Sequence, residues 1–386
     1  MINLHIISTS RADFGIQKEL IKKIQQDKRF KSKFVVSGSH LSKKYGHSVD
    51  EINLEKIHIN KKIKIKCKAK RPSDSITDIN DINRDYSKYL LTNKPDIVIV
   101  FGDRYEMLSF VLVAYLHGIP IAHIHGGEVT RGSLDDGIRN AITKFANIHF
   151  VSNVVHKKRV EQMGEEQSKV IDIGYLSYET IRKTKLIPKK KLEDKLSLIF
   201  KDKIIIINLY SETSSKQKTN IEFCKNLTKF LKQLKNTTLI FTKPGSDVDN
   251  IKIYNFFLKS FKNTKNCFFF KSLGSIKYLS LLNFSNIMIG NSSSGIYDMP
   301  FFLKPSINIG ERQLGREKFY SVIDTDYNIS NFKKKFKIAI SRNFLKKIKK
   351  KNKINNKKID PSKKIIDTIY SLNFKKLNPK NFIDLS

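Results

Sequence analysis

Four short segments of this chain combine small residues, charges and imidazoles in patterns that could do chemistry. The first is Ser8-Thr9-Ser10-Arg11-Ala12-Asp13-Phe14-Gly15. A small-residue turn that opens a helix leaves backbone N–H groups free for an anion, and the helix dipole favours the negative charge. Arg11 adds a fork able to grip phosphate at two points. The segment also reads as an ordinary strand-to-helix turn with Asp13 in the first helical turn. It lacks the glycine spacing of a dinucleotide fingerprint, which argues against a nicotinamide cofactor.

The second segment, Gly102-Asp103-Arg104-Tyr105-Glu106, directly follows the apolar run PDIVIVF. Open α/β sheets bind ligands beyond the carboxyl ends of their strands, so Asp103 stands where an acid or base belongs; as a plain helix cap it would stand there too. The third is His123-Ile124-His125-Gly126-Gly127-Glu128. Strand periodicity puts His123 and His125 on one face. Zinc needs a third ligand and none lies at obvious spacing, so no metal site is expected. Asp135 and Asp136 follow, able either to cap a helix or to reach the same place. The fourth is Gly290-Asn291-Ser292-Ser293-Ser294-Gly295. Three hydroxyls at a helix start suit a diphosphate, whereas one cap needs only one Ser. Asp298, about one turn further on, could bind ribose hydroxyls, and Arg316 is a further cation.

The elements that must position these segments alternate. Strands are expected at Asn3–Ser8, Lys33–Ser37, Pro95–Phe101, Pro120–His125, His149–Ser152 and Val170–Ile173, with helices at Ala12–Gln26, Tyr105–Leu116 and Asp135–Lys144. A second series has strands at Ile204–Leu209, Thr238–Thr242, Phe268–Lys271, Asn286–Gly290 and Pro305–Asn308. Its helices are Asn220–Leu234, Ile276–Leu282, one starting at Gly295–Met299, and a closing one at Ile359–Leu372. Lys61–Thr77 reads as a polar, mobile loop and Arg182–Lys195 as a polar connector. The pattern predicts an α/β protein with two Rossmann-like doubly wound domains, residues 1–178 and 179–386, the second ending in a basic tail.

The chain has 386 residues, enough for two such domains. Its net charge of +37 would suit a polyanion partner. Lys, Ile, Asn and Phe are inflated together, however, and Trp is absent, as in base-composition drift; a solvated basic surface is expected, with no nucleic-acid partner. Cys67, Cys224 and Cys267 are too few and too far apart for a disulfide framework or a zinc ribbon. The N-terminus lacks the marks of a signal peptide, and no apolar run reaches a membrane-spanning length. A cytoplasmic protein with no membrane partner is the expectation.

The segments STSRADFG (8–15), GSHLSKKYG (38–46), KPDIVIVFGDRYE (94–106), IAHIHGGEVTRGSLDDGIRNAITK (121–144), IGNSSSGIYDMP (289–300) and INIGERQLGRE (307–317) occur in this order over most of the chain. Taken together they resemble the UDP-N-acetylglucosamine 2-epimerase family, in its hydrolysing branch that feeds sialic-acid-type sugars. The resemblance implies a glycosyltransferase-B-like architecture with a UDP-sugar held between the two halves. It implies loss of UDP from UDP-N-acetylglucosamine with inversion at C2, giving N-acetylmannosamine through a glycal, with no cofactor and no metal. A homo-oligomer is implied as well. Asp103, His125 and Asp135 become the catalytic candidates. Arg11, Ser292, Ser293 and Ser294 fall to the diphosphate, Asp298 to the ribose and Arg316 to the nucleotide, with Asp13, His40, Arg104 and Glu128 as further substrate-binding residues.

Four positions depart from the family pattern. His125 stands where several relatives carry Glu, Tyr210-Ser211 where they carry His-Pro, and Asp298 where they often carry Glu. Which group moves each proton therefore stays open, as does the sugar. A variant acting on UDP-N,N'-diacetylbacillosamine and a glycosyltransferase of the same architecture are the alternatives.

Overall fold

Every strand of both sheets is parallel, the arrangement that near-continuous Ile/Val runs such as Ile97–Phe101 demand, because both faces of such a strand are covered. The structure is a computed structural model that describes residues 1–42, 47–66, 72–131, 134–210, 221–243, 248–352, 360–378 and 380–384. Cys67, the end of the 38–46 segment and Ser211 lie outside the described residues.

The first sheet contains β1 (Ile2–Ser8), β2 (Phe30–Val36), β3 (Lys61–Lys62), β4 (Ile97–Phe101), β5 (Ile121–Ile124), β6 (Ile148–Val151) and β7 (Val170–Asp172), in the order β3-β2-β1-β4-β5-β6-β7. The second contains β8 (Lys203–Asn208), β9 (Thr237–Thr242), β10 (Cys267–Phe270), β11 (Ile287–Gly290), β12 (Ser306–Ile309) and β13 (Val322–Thr325), in the order β10-β9-β8-β11-β12-β13. The order reverses between β1 and β4, and again between β8 and β11. Those are the switch points at which doubly wound sheets open a ligand crevice. The turns after these four strands are Ser8–Asp13, Gly102–Glu106, the one at Tyr210, and Gly290–Ser294. Two apolar clusters cover the faces of the first sheet, one built on Leu4, Ile6, Ile97 and Ile99, the other on Ile7, Val35, Val98 and Val100.

The contacts divide the chain into two compact units. One is Met1–Glu128 with Leu134–Lys183 and Lys358–Ser386; the other is Val129–Ser133 with Thr184–Lys357. The assignment of everything after residue 178 to the second half does not match this division. The closing helix, Pro361–Ser371, buries Ile365, Ile366 and Ile369 in the core that holds Leu4 and Phe34. Ser362 N also donates to Glu179 at 3.0 Å.

Two stretches read as polar are structured. Lys61–Lys62 adds an edge strand, and Pro72–Leu90 is a 19-residue helix whose Ile82, Tyr86 and Leu90 are buried at helical spacing. Asp and Asn between those residues masked the period. The connector after Arg182 carries the helix Lys189–Leu196, which sinks Leu192 and Leu196 and leaves its lysines outside. Among the described residues no helix is long and apolar enough to cross a membrane.

Candidate active site

In the first unit the helix Arg11–Gln26 starts from Ser10, whose hydroxyl accepts from Asp13 N at 3.3 Å while the Asp13 carboxylate reaches back to Ser10 N at 3.1 Å. This reciprocal cap satisfies two donors that a helix start leaves open. Asp13 also accepts from Thr9 N at 2.9 Å, from Thr9 Oγ1 at 3.1 Å and from the Ser8 hydroxyl. Burial opposes its charge, yet the bonds from His40, Ser8 and Thr9 hold the carboxyl below its ordinary range. His40, fully buried, spans from Ser8 Oγ at 2.9 Å to Ser48 Oγ at 2.8 Å. Asp13 and His40, expected among the substrate contacts, thus spend their hydrogen bonds on the shape of the turn. Arg11 projects from the first helical position, half-exposed, and pairs with Glu51 at 2.9 Å.

Arg104, not Asp103, occupies the cap position of the helix Tyr105–Leu116, and no side chain caps that helix. The cap reading of Asp103 therefore fails. Arg104 grips the buried Glu106 with two bonds, of 3.1 and 2.7 Å. Asp103 turns to Arg139, which it contacts through Nη2. Arg139 is 1% exposed and also donates from Nη1 to Glu128 O at 2.7 Å and to Asp136 at 3.2 Å. A buried guanidinium needs such partners, and here they tie the turns after β4 and β5 to the helix Leu134–Phe145. Arg139 escaped the sequence reading, although it lies four residues after Asp135 and so on the same helical face. Asp135 and Asp136 sit in the first turn of that helix, with Asp135 exposed.

His123 and His125 do not share a face. Strand β5 ends at Ile124, and His125 takes φ +71, which breaks the two-residue period. His123 is bonded to Gly102 O at 2.8 Å and Thr143 Oγ1 at 3.2 Å. His125 instead directs Nδ1 to Glu128 Oε1 at 2.9 Å, and its ring lies 4.6 Å from that of Phe101. The carboxylate only accepts, so in neutral His125 the proton resides on Nδ1 and the lone pair on Nε2. Nε2 is buried and has no hydrogen-bond partner. An imidazole oriented by a carboxylate and carrying one free lone pair is the arrangement of a general base. Among the described residues no cluster of His, Cys, Asp or Glu could hold a metal ion.

In the second unit Asn291 fastens the two turns at the switch point, accepting from Tyr210 N at 2.8 Å and donating to Tyr210 O at 2.9 Å. Gly290 permits this. Its φ is +139, and a Cβ there would lie 2.0 Å from Asn208 O. Ser292 caps the helix Ser293–Phe301 by accepting from Ser294 N at 3.3 Å, and Ser293 is exposed at the helix start. Arg312 donates to Asn291 O at 3.0 Å and lies 5.2 Å from the Tyr210 ring centre, which brings a guanidinium to the Ser-rich turn. The sequence reading singled out Arg316, four residues later, whose guanidinium packs 5.5 Å from the Tyr297 ring centre. Burial pushes the Asp298 carboxyl up to about 6, against a hydrogen bond from Ser294.

Two doubly wound parallel sheets, one with a carboxylate after β4 and a carboxylate-oriented imidazole after β5, the other with a Ser-capped helix start, define an enzyme of the two-Rossmann α/β class. The model of the family described as UDP-N-acetylglucosamine 2-epimerase matches residues 22–370, and the chain belongs to that family. It is 38% identical over 385 residues to the GDP/UDP-N,N'-diacetylbacillosamine 2-epimerase (hydrolyzing) of Campylobacter jejuni, covering 98% of each chain. It is 32% identical to the polysialic acid biosynthesis protein P7 of Escherichia coli, over 82% of this chain and 81% of that one. In fold it is similar to the crystal structure of UDP-GlcNAc 2-epimerase from Neisseria meningitidis bound to UDP-GlcNAc, with TM-score 0.72 and 17% identity over 96% of this chain and 100% of that one.

Proposed function

We propose that the protein is a hydrolysing 2-epimerase that releases UDP from UDP-N,N'-diacetylbacillosamine and inverts the sugar at C2. The reaction type rests on one observation above all, the free Nε2 of His125 backed by Glu128. The diacetylated sugar is favoured over UDP-N-acetylglucosamine by the Campylobacter relative, which bears that substrate in its name and matches this chain almost end to end.

In this reading His125 Nε2 removes the C2 proton as the C1–O bond to UDP breaks. Charge then builds on the leaving diphosphate, which the N–H groups at Ser292 and Ser293, together with Arg312, stabilise. Water then adds to C1 of the resulting glycal: the Asp103 carboxylate takes a proton from the attacking water and delivers a proton to the other face of C2, with Asp135 the other candidate for that role. Glu128 orients His125 rather than touching the sugar. Asp298 accepts from the ribose hydroxyls, and Arg316 serves the nucleotide. The working form is a homo-oligomer, a reading supported by the exposed apolar residues Leu91, Tyr115 and Leu116 at the ends of two helices.

The test is to incubate the protein separately with UDP-N,N'-diacetylbacillosamine, its GDP counterpart and UDP-N-acetylglucosamine in deuterated water, and to identify the products by NMR. The expected product is the free C2-inverted sugar with deuterium at C2, formed fastest from the diacetylated UDP-sugar. Faster turnover of UDP-N-acetylglucosamine would shift the substrate to that sugar. Nucleotide release only when an acceptor is added would make the protein a glycosyltransferase. Product without deuterium at C2 would refute elimination and hydration.

A further inference from the structure

His123 is fully buried on β5, and both its ring nitrogens are engaged. Nε2 lies 2.8 Å from Gly102 O, a carbonyl that can only accept, so the proton is on Nε2. Nδ1 must then accept, and its partner at 3.2 Å is the Thr143 hydroxyl. Burial lowers the ring's pKa to about 3, and His149, Arg139 and His125 nearby oppose a second proton further. His149 stands opposite His123 in the register of β5 and β6 and is itself bonded to Glu165 at 2.9 Å. The turn after β5 closes on the same place. A Cβ on Gly126 would lie 3.1 Å from Thr143 Oγ1 and 3.2 Å from His123 Nδ1, so a side chain there would press on the bond between them.

We propose that His123 is a positioning residue: its neutral Nε2–H form ties the carbonyl before Asp103 to Thr143, on the helix that carries Arg139. Asp103 is then fixed twice to one helix, through its carboxyl by Arg139 and through its backbone by His123. Gly102, at φ +78, gives that backbone no side chain of its own to hold it. Displacing a reacting group by about 1 Å can cost up to 10²-fold in rate, so loss of the tie falls on turnover and leaves nucleotide binding alone. The proposal rests on the reading of Asp103 as a proton-transfer group.

The experiment pairs kinetics with a measurement independent of activity. In Thr143→Val, which keeps shape and loses the donor, kcat should fall on the order of 10-fold. KM and the UDP-induced thermal shift should stay within about 2-fold, and Thr143→Ser should restore most of kcat. His123→Gln, whose amide can still donate toward Gly102 O, should retain more kcat than His123→Leu. Imidazole ¹⁵N spectra of the wild-type protein should show His123 protonated on Nε2 only, from pH 5.5 to 8. Unchanged kcat in Thr143→Val, or equal loss in Thr143→Val and Thr143→Ser, overturns the positioning role. So does an Nδ1–H or doubly protonated ring. If the wild-type protein releases no UDP from any UDP-sugar, the functional reading fails, while the spectra still decide the hydrogen-bond arrangement.

Discussion

Asp298 offers the most quantitative test of the nucleotide site. Its carboxyl is pushed from an ordinary 3.8 to about 6, chiefly by burial, with Ser294 its opposing hydrogen-bond partner. A raised carboxyl pKa means that between about pH 4 and 6 the folded protein holds a proton that the unfolded chain has released. Stability therefore falls as pH rises through that window, by about 1.4 kcal/mol per unit and at most about 3 kcal/mol in all. Asp298→Asn removes the titration and keeps the shape. Near pH 4 the variant should melt close to wild type. At pH 7.5 it should melt higher, by up to roughly 6–12 °C for a unit of this size. In the proposed function the ribose, with two hydroxyls to give, donates to this carboxylate. UDP affinity of the wild type should accordingly rise with pH through about 6, whereas that of Asp298→Asn should be weaker and flat. Differential scanning calorimetry of both proteins across pH, with and without UDP, reads all of these quantities. A difference in melting temperature that does not change with pH would refute the burial argument. A variant that binds UDP as wild type does would refute the ribose contact.

Asp103→Asn should leave UDP binding nearly unchanged and lower turnover on the order of 10²-fold or more in steady-state assays, since a neutral amide cannot exchange the proton. His125→Ala should lose at least as much, and Glu128→Gln should lose part of it, because the carboxylate that fixes the His125 tautomer is then a neutral amide; turnover of Glu128→Gln equal to wild type would count against the dyad. Arg312→Ala and Ser293→Ala should each shrink the UDP-induced rise in melting temperature, which scales with affinity by mass action, whereas Lys347→Ala, on an exposed helix face far from any of these residues in sequence, should not.

The sequence by itself determined the order of strands and helices and hence the fold class. A parallel strand buried on both faces must be a continuous apolar run, and Ile97–Phe101, the isoleucines at 204–207 and Ile287–Gly290 are such runs. It also pointed to the turns that follow those strands, because ligand-binding residues in an open sheet lie beyond carboxyl ends. The helix Pro72–Leu90 escaped because its apolar residues are separated by Asp and Asn, which weaken the local signal that burial later overrides. What a residue does inside a turn was decided only by the tertiary structure. Asp13 and His40 look like ligands in a linear reading, yet they are consumed by Ser8, Thr9, Ser10 and Ser48. Arg139 and Arg312 look like any other cation in a chain of net charge +37, yet they meet Asp103 and the Asn291 carbonyl. His123 and His125 look equivalent, yet the strand ends between them, so one imidazole is tied at both nitrogens and the other keeps a lone pair. Periodicity is local and survives in one dimension. Hydrogen-bond partners can lie far apart along the chain, 183 residues for Ser362 and Glu179, and only the packed chain brings them within bonding distance.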